Sequence, residues 1–322
     1  MTAAVDVLLD DENRKQSLRA DVRAGLTATP KSLPPKWLYD ARGSELFERI
    51  TELPEYYLTR AERSILEVRA PEMAARTQSE TIVELGSGSS RKTRLLLDAL
   101  GAVGTLRRFV AFDVSEAALR ESTAELELEY PELEIRGVVG DFERHLDAVP
   151  GAARKLVVFL GSSIGNFPPA ERAAFLQRVR SLLSDGDFFL VGLDLVKDVA
   201  RLEAAYDDPG GVSAAFSTNV LAVLNRELGA DFDLDAFEHV ARWDAKNEWM
   251  QMTLRARRPQ RVSVAALDLE VAFAEGEELQ TQVSAKFRRD RFRDELARAG
   301  LVETAWWTDD AGDFALALAA PA

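Results

Sequence analysis

The sequence predicts an α/β fold: a central parallel sheet flanked by helices, joined to a second α+β domain built from both chain ends. Two observations carry this reading. From Thr81 onward short apolar runs alternate with stretches whose apolar residues recur at helical spacing, as strand–helix–strand units on a parallel sheet require. Past Asp194 the pattern becomes helical for a long stretch and then changes to a period of two, so a different architecture begins there.

Taken in order, "TIVELG", "RFVAFDV", "EIRGVVGD", "KLVVFLGS" and "DFFLVGLDL" read as strands. Between them "RKTRLLLDALG", "SEAALRESTAELELEYP" and "PPAERAAFLQRVRSLLSDG" read as helices; in the last, Phe175, Leu176, Val179, Leu182 and Leu183 form one stripe that stops before Gly186. Ahead of this block, "SLRADVRAGLTA" is amphipathic, "PKSLPP" breaks it, and "GSELFERITELPEYY" resumes a helix as far as Pro54. After it, "LEAAYDDPGGVSAAFSTNVLAVLNRELGA" is helical apart from Pro209-Gly210-Gly211. "FEHVARWDAKNEWMQMTLRARR" reads as a hairpin turning near Asp244 to Asn247, followed by strands at "RVSVAAL" and "LEVAF". The expected domains are 60–197 for the central sheet, and 8–59 with 198–322 for the second.

The chain has 322 residues, enough for one large domain or two ordinary ones, with 47% apolar and 29% charged residues. Acidic residues outnumber basic ones 54 to 40, for a formal charge of −14, which opposes binding to phosphate backbones or anionic lipid. No nucleic-acid partner is expected. The longest apolar run, "FFLVGLDLV", meets Asp194 too soon to span a membrane, and the N-terminus lacks the pattern of a signal peptide, so a cytoplasmic protein is expected. With no cysteine, disulfides and thiolate chemistry are excluded; the two histidines, His145 and His239, stand outside any metal or triad motif and read as a solvated helix position and a strand-surface position.

The chemistry gathers at the carboxyl ends of the strands, where open α/β sheets bind ligands. "GSGSSRKT", Gly86 to Thr93, follows the acidic strand end Glu84 and precedes a helix. It is close to a phosphate-gripping P-loop, but Arg91 stands where that loop needs glycine. It fits better a turn where Gly86 and Gly88 let an adenosine-containing cofactor approach the backbone. Asp113, near the end of the next strand, suits two ribose hydroxyls; Asp141 suits an adenine amine, with Phe142 packing on the purine; Asn166 lies in the glycine-interrupted loop "LGSSIGNF". Together these favour an S-adenosylmethionine site. NAD is the rival that Asp113 would serve equally well, but the third glycine of its fingerprint is absent, and a P-loop-like nucleotide-binding module is the alternative from another class.

The stretches "GLTATPKSLPPKWLYDARGSELFERITELPEYYLTR", "VELGSGSSRKTRLLLDA", "VVFLGSSIGNF", "DLVKD" and "ADFDLDAFEHVARW" resemble the actinobacterial L-histidine Nα-methyltransferases of ergothioneine biosynthesis, over about residues 25–313. The resemblance implies a Rossmann-like class I methyltransferase domain, a substrate-binding domain and S-adenosylmethionine as methyl donor; such a transfer needs no metal, and a monomer is expected. The reaction it implies is three methyl transfers to the α-amine of histidine, giving hercynine. By matching position, Gly86, Lys92, Asp113, Asp141 and Phe142 would hold the cofactor. Asn166 and Tyr206 would grip the carboxylate and amine of the substrate, with Tyr39 and Asn166 orienting the reacting amine. Tyr56 would face the imidazole, Gln282 and Ser284 would read its nitrogens, and Met252 would pack on it.

One departure concerns Gln282, where the family pattern has glutamate. In "TQVSAKF" an alternating strand points Gln282 and Ser284 the same way. A carboxylate accepts from an imidazole N–H and favours the cationic ring, whereas an amide accepts without charge attraction. The difference is on the order of 1 kcal/mol, or about five- to tenfold in affinity. The same build acting on tryptophan or another aromatic amino acid is therefore an alternative reading.

Overall fold

A computed structural model describes residues 4–141, 144–149 and 154–322. In chain order the strands are β1 (Ala4–Val7), β2 (Lys31–Ser32), β3 (Thr81–Leu85), β4 (Arg108–Asp113), β5 (Glu134–Val139), β6 (Lys155–Phe159), β7 (Phe188–Asp194), β8 (Phe237–Asp244), β9 (Trp249–Ala256), β10 (Gln260–Val264), β11 (Leu269–Phe273), β12 (Glu278–Ala285), β13 (Leu301–Thr308) and β14 (Phe314–Pro321). The helices are α1 (Asp11–Thr27), α2 (Ala41–Glu52), α3 (Leu58–Thr77), α4 (Arg94–Val103), α5 (Glu116–Glu129), α6 (Pro169–Leu182), α7 (Val199–Tyr206), α8 (Val212–Leu228) and α9 (Arg289–Arg298). No helix among the described residues is long and apolar enough to cross a membrane.

The chain divides into two compact units, residues 1–9, 58–196 and 285–322 in the first and residues 10–57 and 197–284 in the second. The first holds an eight-stranded sheet in the order β1-β5-β4-β3-β6-β7-β14-β13. β1, β5, β4, β3, β6 and β7 run parallel, and β14 and β13 close the sheet antiparallel. The five strands read from the apolar runs are all present; β3 and β6 are buried along their whole length, as expected of strands covered on both faces. The strand order reverses between β3 and β6, which puts the loops after them at the switch point where such sheets bind ligands.

The expected division needs correction at the C-terminus, because residues 285–322 belong with the parallel sheet and not with 198–284. β14 lies beside β7 and carries a nearly continuous apolar run, Phe314 to Ala319, buried throughout. Burying that run extends the first core. β1 likewise adds an edge strand beside β5.

The second unit has a four-stranded sheet, β2-β12-β9-β8, and the β10–β11 hairpin. α7 and α8 pack on β8 and β9, and α2 packs on α8. The expected hairpin turn is made by Asp244, whose carboxylate accepts from the backbone N–H groups of Lys246 and Asn247 at 2.9 and 3.2 Å. α8 follows Gly211, whose φ of +71° suits glycine, and Asp208 accepts from the first two N–H groups of that helix.

Asp194, ending β7, and Lys286, after β12, form an ion pair at 2.8 Å with both side chains fully buried. The Asp194 N–H also donates to Ser162 Oγ at 2.9 Å, and its carbonyl accepts from Phe287 N at 2.8 Å. Removing one member of a buried pair strands the other charge out of water. Lys286→Met is expected to cost about 3–5 kcal/mol in urea unfolding, and the paired Asp194→Leu/Lys286→Met chain to recover most of it; equal loss in both chains would show that the charges themselves contribute nothing.

Candidate active site

In the first unit the Gly86–Thr93 segment leaves β3 as a tight loop, and α4 starts only at Arg94. Gly86 and Gly88 have φ of +68° and +48°, and a side chain at Gly88 would meet open space. Glycine serves the backbone torsions there and keeps the loop's outer side clear. Glu84, buried at the end of β3, accepts from Ser90 Oγ at 2.9 Å and from Thr93 Oγ1. Asp113 ties the loop to the next strand: Gly88 N–H donates to one carboxylate oxygen at 3.0 Å and Ser115 N–H to the other at 2.9 Å.

Lys92 pairs with Glu62, a fully buried carboxylate on α3, which also accepts bifurcated bonds from Gly161 N–H at 2.9 and 3.0 Å. A P-loop would leave its lysine and threonine for phosphate and metal; here Lys92 serves Glu62 and Thr93 serves Glu84. Glu62 was not singled out from the sequence, yet a signal existed. It falls among Leu58, Ile65 and Leu66 on the buried stripe of α3, where a carboxylate needs a partner. Gly192 on β7 leaves room for it, since a Cβ there would collide with Glu62 Oε1.

Burial pushes Glu84 up to about 7, against the lowering effect of Thr93, Ser90 and the Lys92 charge. Asp113 is also raised by burial, opposed by the N–H groups of Ser115, Gly88 and Val114. Asp141 is buried just after β5, and its N–H donates to His145 Nδ1 at 3.0 Å. His145 is thus a half-buried turn residue and not the solvated helix position expected, because its ring accepts from the backbone of that loop. Phe142 lies outside the described residues. Asn166 ends a 3-10 turn, Ser163–Asn166, that Gly165 brings against Ala285; a Cβ at Gly165 would lie 2.9 Å from the Ala285 carbonyl oxygen.

These groups fit a nucleoside-bearing cationic cofactor. The turn is open at Gly88, Asp113 and Asp141 supply carboxylates at neighbouring strand ends, and the buried Ser87 hydroxyl in the turn has no protein partner.

The second unit holds a cleft of its own residues, partly open to solvent. Phe47 and Ile50 on α2, Tyr56, Tyr206 at the end of α7, Phe216 on α8, His239 on β8, Met252 on β9 and Gln282 on β12 line it. Its rings form a chain: Tyr39 meets Phe47 and Phe216 edge-on at 5.5 and 5.3 Å, Phe47 meets Tyr56 at 6.3 Å, and Tyr56 meets Tyr206 at 6.1 Å. Tyr206 OH and Ser284 Oγ share a hydrogen bond at 2.8 Å. Of the residues expected to bind the substrate, Tyr56, Tyr206, Met252 and Gln282 line one cleft, Ser284 reaches it through Tyr206, and Tyr39 stands one ring behind the lining.

His239 also lines the cleft, with Nε2 2.9 Å from the Tyr206 carbonyl oxygen, so the strand-surface expectation is corrected. The alternation along β8 held the signal. His239 shares a strand face with Ala241 and Trp243, which pack on Met252 and its neighbours.

The sequence model of one family, described as "Histidine-specific methyltransferase, SAM-dependent", matches residues 18–321. The Histidine N-alpha-methyltransferase of Mycolicibacterium smegmatis is 58% identical over 99% of both chains. That of Mycobacterium tuberculosis is 56% identical over 99% of this chain and all of its own. Ergothioneine biosynthesis protein 1 of Schizosaccharomyces pombe is 34% identical over 75% of this chain and 31% of its own length.

The raised carboxyl of Glu84 makes a test of the loop. Its folded value lies above the ordinary 4.5, so the native state holds a proton that the unfolded chain releases, and stability falls as pH rises from about 4.5 to about 7. Above that window the full cost is present, on the order of 3 kcal/mol. Glu84→Gln lacks this titration, so its stability relative to wild type should improve by about that amount between pH 5 and pH 8 in denaturant unfolding. A difference that stays flat with pH would show that Glu84 does not titrate there.

Proposed function

Because the chain belongs to the family of histidine-specific, S-adenosylmethionine-dependent methyltransferases, we propose that it methylates the α-amine of L-histidine three times to give hercynine, the opening step of ergothioneine biosynthesis. The observation that carries this is the 58% identity to a histidine Nα-methyltransferase over 99% of both chains. The aromatic cleft with its amide and hydroxyl groups supports it.

Bound S-adenosylmethionine supplies a methyl group on a cationic sulfur. Gly86 and Gly88 would admit it to the loop, Asp113 would accept from the ribose hydroxyls, and Asp141 would accept from the adenine amine. Lys92, held and balanced by Glu62, would offer its remaining N–H donors to the carboxylate of the cofactor. For the amino acid, Tyr206 would hold the carboxylate and amine end and Tyr39 would orient the amine, which reacts as the free base; the resemblance gives Asn166 the same two roles. Orientation is the main contribution such groups make, since aligning two reactants removes much of the entropic barrier. As methyls accumulate the nitrogen loses its donors and becomes a fixed cation, which tyrosine faces accommodate better than further donors would. In the cleft Tyr56 and Met252 pack on the imidazole, and Gln282 with Ser284 meets its nitrogens.

Incubation with S-adenosylmethionine and each free amino acid in turn, read by mass spectrometry, should show histidine gaining three methyl groups; tryptophan gaining them while histidine does not would overturn the substrate. S-adenosylhomocysteine should raise the melting temperature, and stabilisation by ATP with magnesium alone would point to the other class. Gln282→Glu should lower KM for histidine about five- to tenfold by restoring a charge-assisted bond. An unchanged KM would mean the ring is read elsewhere.

A further inference from the structure

The His239 ring makes one hydrogen bond, from Nε2 to the backbone carbonyl of Tyr206 at 2.9 Å. A carbonyl oxygen only accepts, so Nε2 carries the hydrogen, and in the neutral ring Nδ1 is then a lone-pair acceptor. Nδ1 is buried and has no hydrogen-bond partner. All of the ring's directional bonding within the protein therefore goes to Tyr206.

Tyr206 is the last residue of α7, where carbonyls have no partner within the helix and the direction of the final residue is least constrained. Its backbone is held by His239 on β8 and its hydroxyl by Ser284 on β12. Both anchors stand on strands of the same four-stranded sheet, and rigid elements place side chains more closely than a helix end does alone. The ring between the anchors lines the cleft and meets Tyr56 edge-on at 6.1 Å.

From this two-point attachment we infer that His239 is a positioning residue of the amino-acid site, setting through its Nε2–H where the Tyr206 ring and hydroxyl stand. The inference rests on the reading of this cleft as the amino-acid site. His239 acts through Tyr206, so its loss impairs amino-acid binding and leaves cofactor binding alone.

The test uses the full chain with His239→Leu, which removes the donor, His239→Gln, which keeps an amide N–H, Tyr206→Ala, and the Tyr206→Ala/His239→Leu double variant. KM is measured for histidine and for S-adenosylmethionine, with melting temperature as the check on folding. His239→Leu should raise KM for histidine about five- to tenfold and move KM for the cofactor by less than about twofold. His239→Gln should recover most of the loss. In the Tyr206→Ala background His239→Leu should add less than about twofold, because the ring it positions is gone.

An equal effect of His239→Leu in the wild-type and Tyr206→Ala backgrounds would overturn the inference, since it would place the role in packing. Equal losses in the Leu and Gln variants, or a folded Leu variant with unchanged KM, would overturn it too. Absence of histidine turnover by the wild type would sink the substrate reading, and this inference with it; turnover with indifferent variants sinks this inference alone.

Discussion

Carboxylates taken out of water must be met by donors, and in the first unit that requirement shapes the carboxyl edge of the parallel strands. Glu84, Asp113 and Glu62 are each satisfied by groups of the loops around them: Ser90 and Thr93 for the first, the N–H groups of Gly88 and Ser115 for the second, Lys92 and the Gly161 N–H for the third. Left unsatisfied, a buried carboxylate would cost several kcal/mol. The loops after β3, β4 and β6 are therefore set by these buried charges. Gly192 fits the same scheme, since its missing side chain is the space that Glu62 occupies.

This shifts the meaning of the Gly86–Thr93 loop. Its similarity to a P-loop lies in residue types, but the two residues that would grip phosphate and metal there are committed to protein carboxylates. The loop is held closed on its inner side by Glu84 and Asp113 and left open on its outer side at Gly88. Such a turn accommodates a nucleoside beside a strand end without cradling a triphosphate.

The second unit uses another device. Its cleft is lined by rings and amide and hydroxyl groups, with no carboxylate or lysine among the lining residues described. The positions of the rings in such a cleft are set by their anchors, and Tyr206 is held at both its hydroxyl and its backbone carbonyl. Gln282 belongs to the same logic, because it offers hydrogen bonds without a formal charge.

Much of this was legible along the chain. Period-two and helical-period patterns found the five central strands, the helices between them and the β8–β9 hairpin, because each buries an apolar face that its own sequence must supply. Strand-end position pointed to Glu84, Asp113, Asp141 and Asn166, and family resemblance to Tyr56, Tyr206, Met252 and Gln282 of the cleft, but not to Phe47, Phe216 or His239 beside them. The assignment of the last 38 residues to the parallel sheet was not legible, since β14 reads as an apolar run that either unit could bury and only its pairing with β7 decides. The partners of Glu62 and His239 were equally hidden. A hydrogen bond between residues 33 or 99 positions apart leaves no periodic trace in the chain, so which donor meets which acceptor is decided only when packing brings them within bonding distance.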